Sequence, residues 1–252
     1  MEIRVERRAD RIVIVTIANE PRRNAMTRAM LADLAQLWDR LNEDDDCRVV
    51  ILTGAGDKAF SSGADLAGDL TASPETAAIV SRALLKNTPF SKPIIAAVNG
   101  DCVAGGVELL LSTDIRAAAP EARFGLPEVR WSIYPFGGAT VKLTQQIGYV
   151  HAMDLLLTGR LVDAAFAERV GLVNLVVERA ALMPWALETA AAIAANSPAA
   201  VQAVRSQISA SIADYANSRE ALEQALGDRV RASRHFAEGV AAFREKRRPD
   251  YS

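Results

Sequence analysis

Ile94–Ala118 reads IIAAVNGDCVAGGVELLLSTDIRAA, and its punctuation decides the fold class. Lys92-Pro93 opens an apolar strand, Ile94–Val98, and Gly100 breaks it. Gly105-Gly106 then precede a short apolar helix, Val107–Leu111, and Asp114–Ala119 reads as another short strand. A second junction of the same kind lies upstream. There Arg48–Thr53 (RVVILT) has the nearly continuous apolar character of a strand in a covered sheet, and it runs into Gly54–Asp65 (GAGDKAFSSGAD). Where a strand gives way to glycines and a helix begins, unpaired amides can bind an anion or a developing negative charge. Glycine also permits close backbone approach. A plain tight turn accounts for either junction equally well. Neither junction carries the P-loop pattern GxxxxGK followed by Ser or Thr, nor the dinucleotide pattern GxGxxG.

Outward from these junctions the chain alternates strands and helices. Arg11–Ala18 is β-branched and stops at Asn19-Glu20-Pro21, so it reads as a buried strand and a turn. Thr27–Asn42 spaces Met30, Leu31, Leu34, Leu37, Trp38 and Leu41 at helical intervals behind a Thr27 cap. Glu43–Asp46 is a solvated connection, and Ser73-Pro74-Glu75 opens a helix running through Arg82–Leu85. Gly137-Gly138 introduce a helix to about Gln146. His151–Leu157 and Asp163–Arg169 are further helices, before a strand at Leu172–Val177. Beyond Glu178 the segments 180–195, 198–213, 217–233 and 236–247 are helical and rich in alanine. The chain therefore divides into a mixed α/β core, 1–178, and a helical region, 179–252, whose small residues suit packing on another surface or a second subunit.

Composition narrows the chemistry. The 252 residues carry 29 Lys plus Arg against 31 Asp plus Glu, a net charge of −2 that gives no global field for nucleic acid. Two cysteines, Cys47 and Cys102, exclude a disulfide scaffold and suit a reducing cytoplasm. Two histidines, His151 and His235, speak against histidine triads and most metal sites, so no metal is expected and acid–base work falls to carboxylates. Met1–Arg8 is charged without an apolar targeting core, and no apolar run is long enough to span a membrane.

Among the carboxylates, Glu108 sits inside the apolar run GGVELLL, where burial without partners is costly. A hydrogen bond or an arginine would explain it structurally. Glu128 follows Pro127 in FGLPEVRW and reads equally as an exposed or structural residue. Two such groups about one substrate can divide acid and base roles when their environments separate their pKa values.

These segments together resemble the enoyl-CoA hydratase/isomerase, or crotonase, family. The resemblance is carried by AAVNG at 96–100, AGGVELLLSTDIRAA at 104–118, FGLPE at 124–128 and PFGGA at 135–139. It is supported by PRRNAM at 21–26, ILTGAGDKAFSSGADL at 51–66, LTGRLVDAAFAERVGLVNLVV at 157–177 and EGVAAFREKRRP at 238–249. The blocks occur in order across almost the whole chain. The resemblance implies an α/β crotonase-like fold of repeated ββα units. Its helical C-terminal region would cover the active site and support a homotrimer or a dimer of trimers. It also implies that the amides of Ala64 and Gly105 form an oxyanion hole for an acyl-CoA thioester. Glu108 and Glu128 match the two hydratase glutamates at the family's spacing, which implies water addition to trans-2-enoyl-CoA to give 3-hydroxyacyl-CoA. Glu128 would protonate the α-carbon and Glu108 would activate the water. Coenzyme A is then the substrate's carrier, with no tightly bound cofactor.

The same resemblance sets Arg22, Arg23 and Ala25, and Lys58, Ala59 and Phe60, beside CoA, with Asp65 and Leu66 following the oxyanion segment and Lys246 near a CoA phosphate. Three departures bear on the substrate. Ala104 stands where the family commonly has the first glycine of GGG. The stretch Trp131-Ser132-Ile133-Tyr134 is bulkier than is usual, and Phe136 stands where glycine is frequent. Trp131, Tyr134 and Phe136 would reshape the acyl pocket, or Trp131 and Phe136 would simply fill the core. Residues 67–76 would line an acyl tunnel. The alternatives are a crotonase-fold isomerase or other CoA-ester lyase, and a non-catalytic acyl-CoA-binding homologue.

Overall fold

The computed structural model describes residues 1–65 and 73–252; Leu66 and positions 67–72 of the expected tunnel lie outside them. Its strands are β1 Glu2–Arg7, β2 Ile12–Ala18, β3 Val49–Gly54, β4 Ala59–Ser61, β5 Ile94–Val98, β6 Asp101–Val103, β7 Ile115–Ala118, β8 Arg123–Gly125, β9 Val162–Asp163 and β10 Leu175–Val176. Its α-helices are α1 Arg28–Glu43, α2 Pro74–Ala83, α3 Gly105–Leu110, α4 Ala139–Ile147, α5 Tyr149–Thr158, α6 Ala164–Arg169, α7 Arg179–Ala194, α8 Pro198–Arg231 and α9 Arg234–Glu245. Short 3-10 turns occupy Glu20–Arg22 and Pro127–Trp131.

The strands form two sheets. One runs β1-β2-β3-β5-β7-β10, antiparallel at β1–β2 and parallel thereafter. The other runs β4-β6-β8-β9, parallel until β9. Each unit places its first strand in the large sheet and its second in the small one, as β3-β4, β5-β6 and β7-β8 show. This is the repeated ββα plan that the resemblance implies. Both faces of the large sheet are covered, which explains its unbroken apolar strands. Val50, Leu52, Ala96 and Val98 face the main core with Leu34 and Trp38 of α1, while Ile51, Ile95 and Ala97 pack under Leu182, Ala186 and Ala190 of α7.

Local chemistry sets the boundaries. Thr27 caps α1, its hydroxyl accepting from the Met30 amide at 3.2 Å, and Ser73 caps α2 by accepting from Thr76 at 3.1 Å. Asp163 caps α6 in the same way. Three expectations need correction. The segments 198–213 and 217–233 form one helix, α8, because Asp214-Tyr215-Ala216 contains neither Gly nor Pro to interrupt it. The strand expected at Leu172–Val177 contracts to Leu175–Val176, because the Leu172 and Val173 amides turn back to the Ala167 carbonyl. Glu2–Arg7, read only as a charged terminus, is an edge strand; its exposed charges suit an edge. No helix among the described residues is long and apolar enough to cross a membrane.

Candidate active site

The two strand–glycine junctions meet. Gly63 has φ +89°, and a Cβ there would lie 2.8 Å from the Gly105 amide nitrogen and 3.0 Å from the Ala104 Cβ. Only glycine lets the two segments pass this closely. A Cβ on Gly105 would in turn lie 3.5 Å from the Ala64 nitrogen. Ala64 pairs with Met26 in an isolated parallel bridge, in which the Gly63 carbonyl accepts from Met26 and the Asp65 amide donates to it. The intervening Ala64 amide therefore points away from that bridge, as alternate peptides do in an extended chain. Gly105 is the first residue of α3, whose opening amides have no partner within the helix. Two adjacent backbone donors thus border one space.

Ala104, just before α3, holds φ +53° and ψ −127°. This explains why glycine is common here in the resemblance, since a side chain in such a conformation costs roughly 1–3 kcal/mol.

Glu108, on α3, is buried at 5 % exposure. Its Oε1 accepts from the Ala139 amide at 3.3 Å, and the Gly137 amide also bonds to the carboxylate. Gly137 admits it closely: a Cβ there would stand 2.4 Å from Glu108 Oε2. Burial pushes the Glu108 carboxyl above the usual range, while the two amides and the Lys86 cation oppose that rise. Glu128 lies in the Pro127–Trp131 turn. Its Oε2 is buried with no hydrogen-bond partner among the described residues. Burial raises its pKa, and the Glu108 charge raises it further. The residues that sequence reasoning paired are therefore brought into one electrostatic unit.

The C-terminal helices pack on the Pro127–Trp131 turn and the segment that follows it. Trp131 sets its ring edge-on to Phe243 of α9 at 5.2 Å, and the Tyr251 hydroxyl donates to the Arg130 carbonyl at 2.9 Å. The Phe136 ring abuts Gly227 of α8, under the Arg231 guanidinium and 5.1 Å from the Tyr134 ring. Trp131 and Phe136 thus pack against the helical region.

The expected CoA contacts are placed unevenly. The Arg22 guanidinium bonds Asp65 at 2.8 Å and Arg23 bonds Asp101 at 3.0 Å, both arginines remaining more than half exposed. Asp101 is an ion-pair centre that also holds Arg123. Lys58 is exposed; Ala59 and Phe60 are buried, the Phe60 ring wholly within the core. Ala25 is buried and its carbonyl accepts from Asn19. Lys246 ends α9 in a left-handed conformation, exposed. Cys102 is fully buried and burial pushes its thiol up, so it packs without nucleophilic character. Among the described residues no cluster of His, Cys, Asp and Glu suits a metal ion.

Sequence reasoning missed Lys86 and Glu223, whose charges act on Glu108, and Thr140, which bonds Glu223 and follows the Ala139 that holds Glu108. Their signal was available in part: Glu223 falls on the buried stripe Ala213, Ala216, Glu223 and Gly227 of α8, a charge where burial needs a partner.

Comparison with known proteins gives concordant results. The family profile for enoyl-CoA hydratase/isomerase matches residues 7–252. Enoyl-CoA hydratase EchA19 of Mycobacterium tuberculosis is 42% identical over 254 residues, covering 98% of this chain and 95% of that protein. The short-chain-enoyl-CoA hydratase of Clostridium acetobutylicum is 35% identical, covering 94% and 93% respectively. Among solved structures, a carnitinyl-CoA hydratase from Mycobacterium avium superposes with a TM-score of 0.90 at 31% identity, covering 99% of this chain and 98% of that one.

Proposed function

The chain belongs to the enoyl-CoA hydratase/isomerase family, and from that premise we propose that it is an enoyl-CoA hydratase, adding water reversibly across a trans-2-enoyl-CoA double bond. One observation carries the reading: the Glu108 carboxylate and the Glu128 Oε2 are both buried, burial raises the pKa of each, and the Glu108 charge raises that of Glu128 further. The two amide donors at Glu108 favour its anion, while Glu128 Oε2 has no partner among the described residues and the Glu108 charge favours its protonated form.

The chemistry follows from that asymmetry. The Ala64 and Gly105 amides bind the thioester oxygen and stabilise the negative charge that grows on it. Ionised Glu108 takes a proton from water as the water oxygen bonds to the β-carbon. The double-bond electrons move toward the thioester, and Glu128 gives its proton to the α-carbon. Atoms balance as enoyl-CoA plus water gives 3-hydroxyacyl-CoA, with the pair's proton moved from Glu128 to Glu108. Dehydration is the same path reversed. Arg22, Arg23 and Lys246 are the candidates for CoA phosphates, the two N-terminal arginines by exchanging their aspartate partners for phosphate. The trimer or dimer of trimers belongs to the same proposal.

The test is turnover of crotonyl-CoA followed by loss of enoyl-thioester absorbance, with the product mass gaining one water. Folded protein that gives no turnover across a range of enoyl-CoAs, or a product of unchanged mass, refutes the hydratase reading; unchanged mass with double-bond migration indicates an isomerase.

A further inference from the structure

Helix α8 buries a carboxylate whose charge acts on Glu108. Glu223 is 4 % exposed, and its Oε2 lies 2.8 Å from the Nζ of Lys86, itself 3 % exposed. Lys86 also meets Glu220 at 2.7 Å, on the solvent side of α8. The other Glu223 oxygen accepts from the Thr140 hydroxyl. Thr140 follows Ala139, whose amide holds Glu108. The cluster is therefore one bond and one peptide removed from the proposed base.

We infer that Glu223 is a positioning residue for this site: with Lys86 it balances the charge behind Glu108, so that a residue of the C-terminal helix sets the pH at which the base becomes active. The inference rests on the hydratase reading for its kinetic meaning. Its physical content is independent of turnover.

The groups facing Glu108 decide the sign. Glu128 faces it from the 3-10 turn, Lys86 from the segment after α2, Tyr134 from the segment before α4, Lys142 from α4 and Glu223 from α8. Glu223 and Glu128 oppose ionisation of Glu108, and Lys86 and Lys142 favour it. Glu223→Gln removes one anion yet keeps an oxygen for Thr140, and Lys86 keeps Glu220 and hence its charge. The local balance becomes more positive, and Glu108 ionises at lower pH. Simple packing gives no such directional effect. Thr140→Val breaks the same α4–α8 contact without altering charge.

The experiment measures kcat for crotonyl-CoA against pH, alongside a carbon-13 titration of the Glu108 carboxyl. That signal is assigned by its loss in Glu108→Gln. For Glu223→Gln the acidic limb of the profile and the titration midpoint move down by roughly 0.5–1 pH unit, while Thr140→Val leaves both in place. If Glu223→Gln does not fold, Glu220→Gln gives the same direction with a smaller shift. Unmoved limb and midpoint in a folded variant, or an equal shift in Thr140→Val, overturn the inference. If wild-type protein gives no turnover, the hydratase reading fails. The carboxyl titration then decides the inference alone, upheld by a downward shift and overturned by none.

Discussion

Gly137→Ala tests whether the position of Glu108 matters to the reaction. Gly137 has an ordinary backbone conformation, so the substitution acts through space alone. The added Cβ would stand 2.4 Å from Glu108 Oε2, 2.6 Å from Glu108 Cδ and 2.4 Å from Leu84 Cδ1. Ordinary contact begins near 3.4 Å, so the carboxylate must retreat by about 1 Å, a misplacement that costs about 100-fold in rate. That equals roughly 2.7 kcal/mol of transition-state stabilisation. Overpacking should cost about 1–3 kcal/mol of stability as well. The expected result is a kcat lowered about 100-fold with KM for crotonyl-CoA little changed, and a urea midpoint shifted down without loss of cooperativity. Gly148→Ala is the control: nothing lies within 4 Å, but its φ of +77° strains any side chain. It should lose stability alone. A folded Gly137→Ala enzyme with kcat within about threefold of wild type refutes the placement of Glu108 in the reaction.

Three further outcomes follow from the same geometry. Glu108→Gln and Glu128→Gln should each lower kcat by about 10²–10⁴-fold, with CoA-ester binding retained by calorimetry; normal turnover in either removes that residue's role. Glu128→Gln should also melt higher than wild type at alkaline pH. The raised pKa of Glu128 means that its contribution to stability is complete below its ordinary value of 4.5 and is lost as pH rises through the folded value; the variant's advantage should vanish in acid, and a constant difference would refute this. Ala104→Gly should relieve the φ +53° backbone. After the entropy of the added freedom is offset, a gain of about 1 kcal/mol remains, read as a melting temperature about 2–4 °C higher; an unchanged or lower melting temperature counts against strain at Ala104.

The sequence made some elements legible and hid others for definable reasons. Ile94–Val98 was readable because Pro93 and Gly100 bracket an unbroken apolar run that a sheet covered on both faces demands. The three-residue strands β4, β6 and β8 were not, since three residues cannot express a period. The end of α7 and the start of α8 were marked by Ser197-Pro198, but α8 offered no break where two helices were expected. Glu108 stood out as a charge in an apolar helix. Glu128 gained meaning only through the family resemblance, because nothing in FGLPE reveals that its carboxyl is buried against another. Lys86 and Glu223 stayed hidden because the ion pair joins segments far apart in the chain. The stripe that marks Glu223 as a charge among small residues does not name its partner, and Lys86 falls after α2 in a segment with no period to read.

The proposed division of labour between the two acids rests on their unequal hydrogen bonding. Both carboxyls are buried, and burial alone would raise both alike. Two amides from the Gly137–Ala139 turn stabilise the anion of Glu108, whereas Glu128 Oε2 has no donor among the described residues. The amides therefore favour the anion at Glu108, and the Glu108 charge favours the protonated form of Glu128. On the proposed reading this is the state that hydration requires, base ionised and acid protonated. It costs stability, because a buried oxygen without a donor costs about 1–3 kcal/mol. A donor engineered beside Glu128 would recover that stability and lower its pKa. The acid would then ionise with the base, and the active pH range would narrow from its alkaline side.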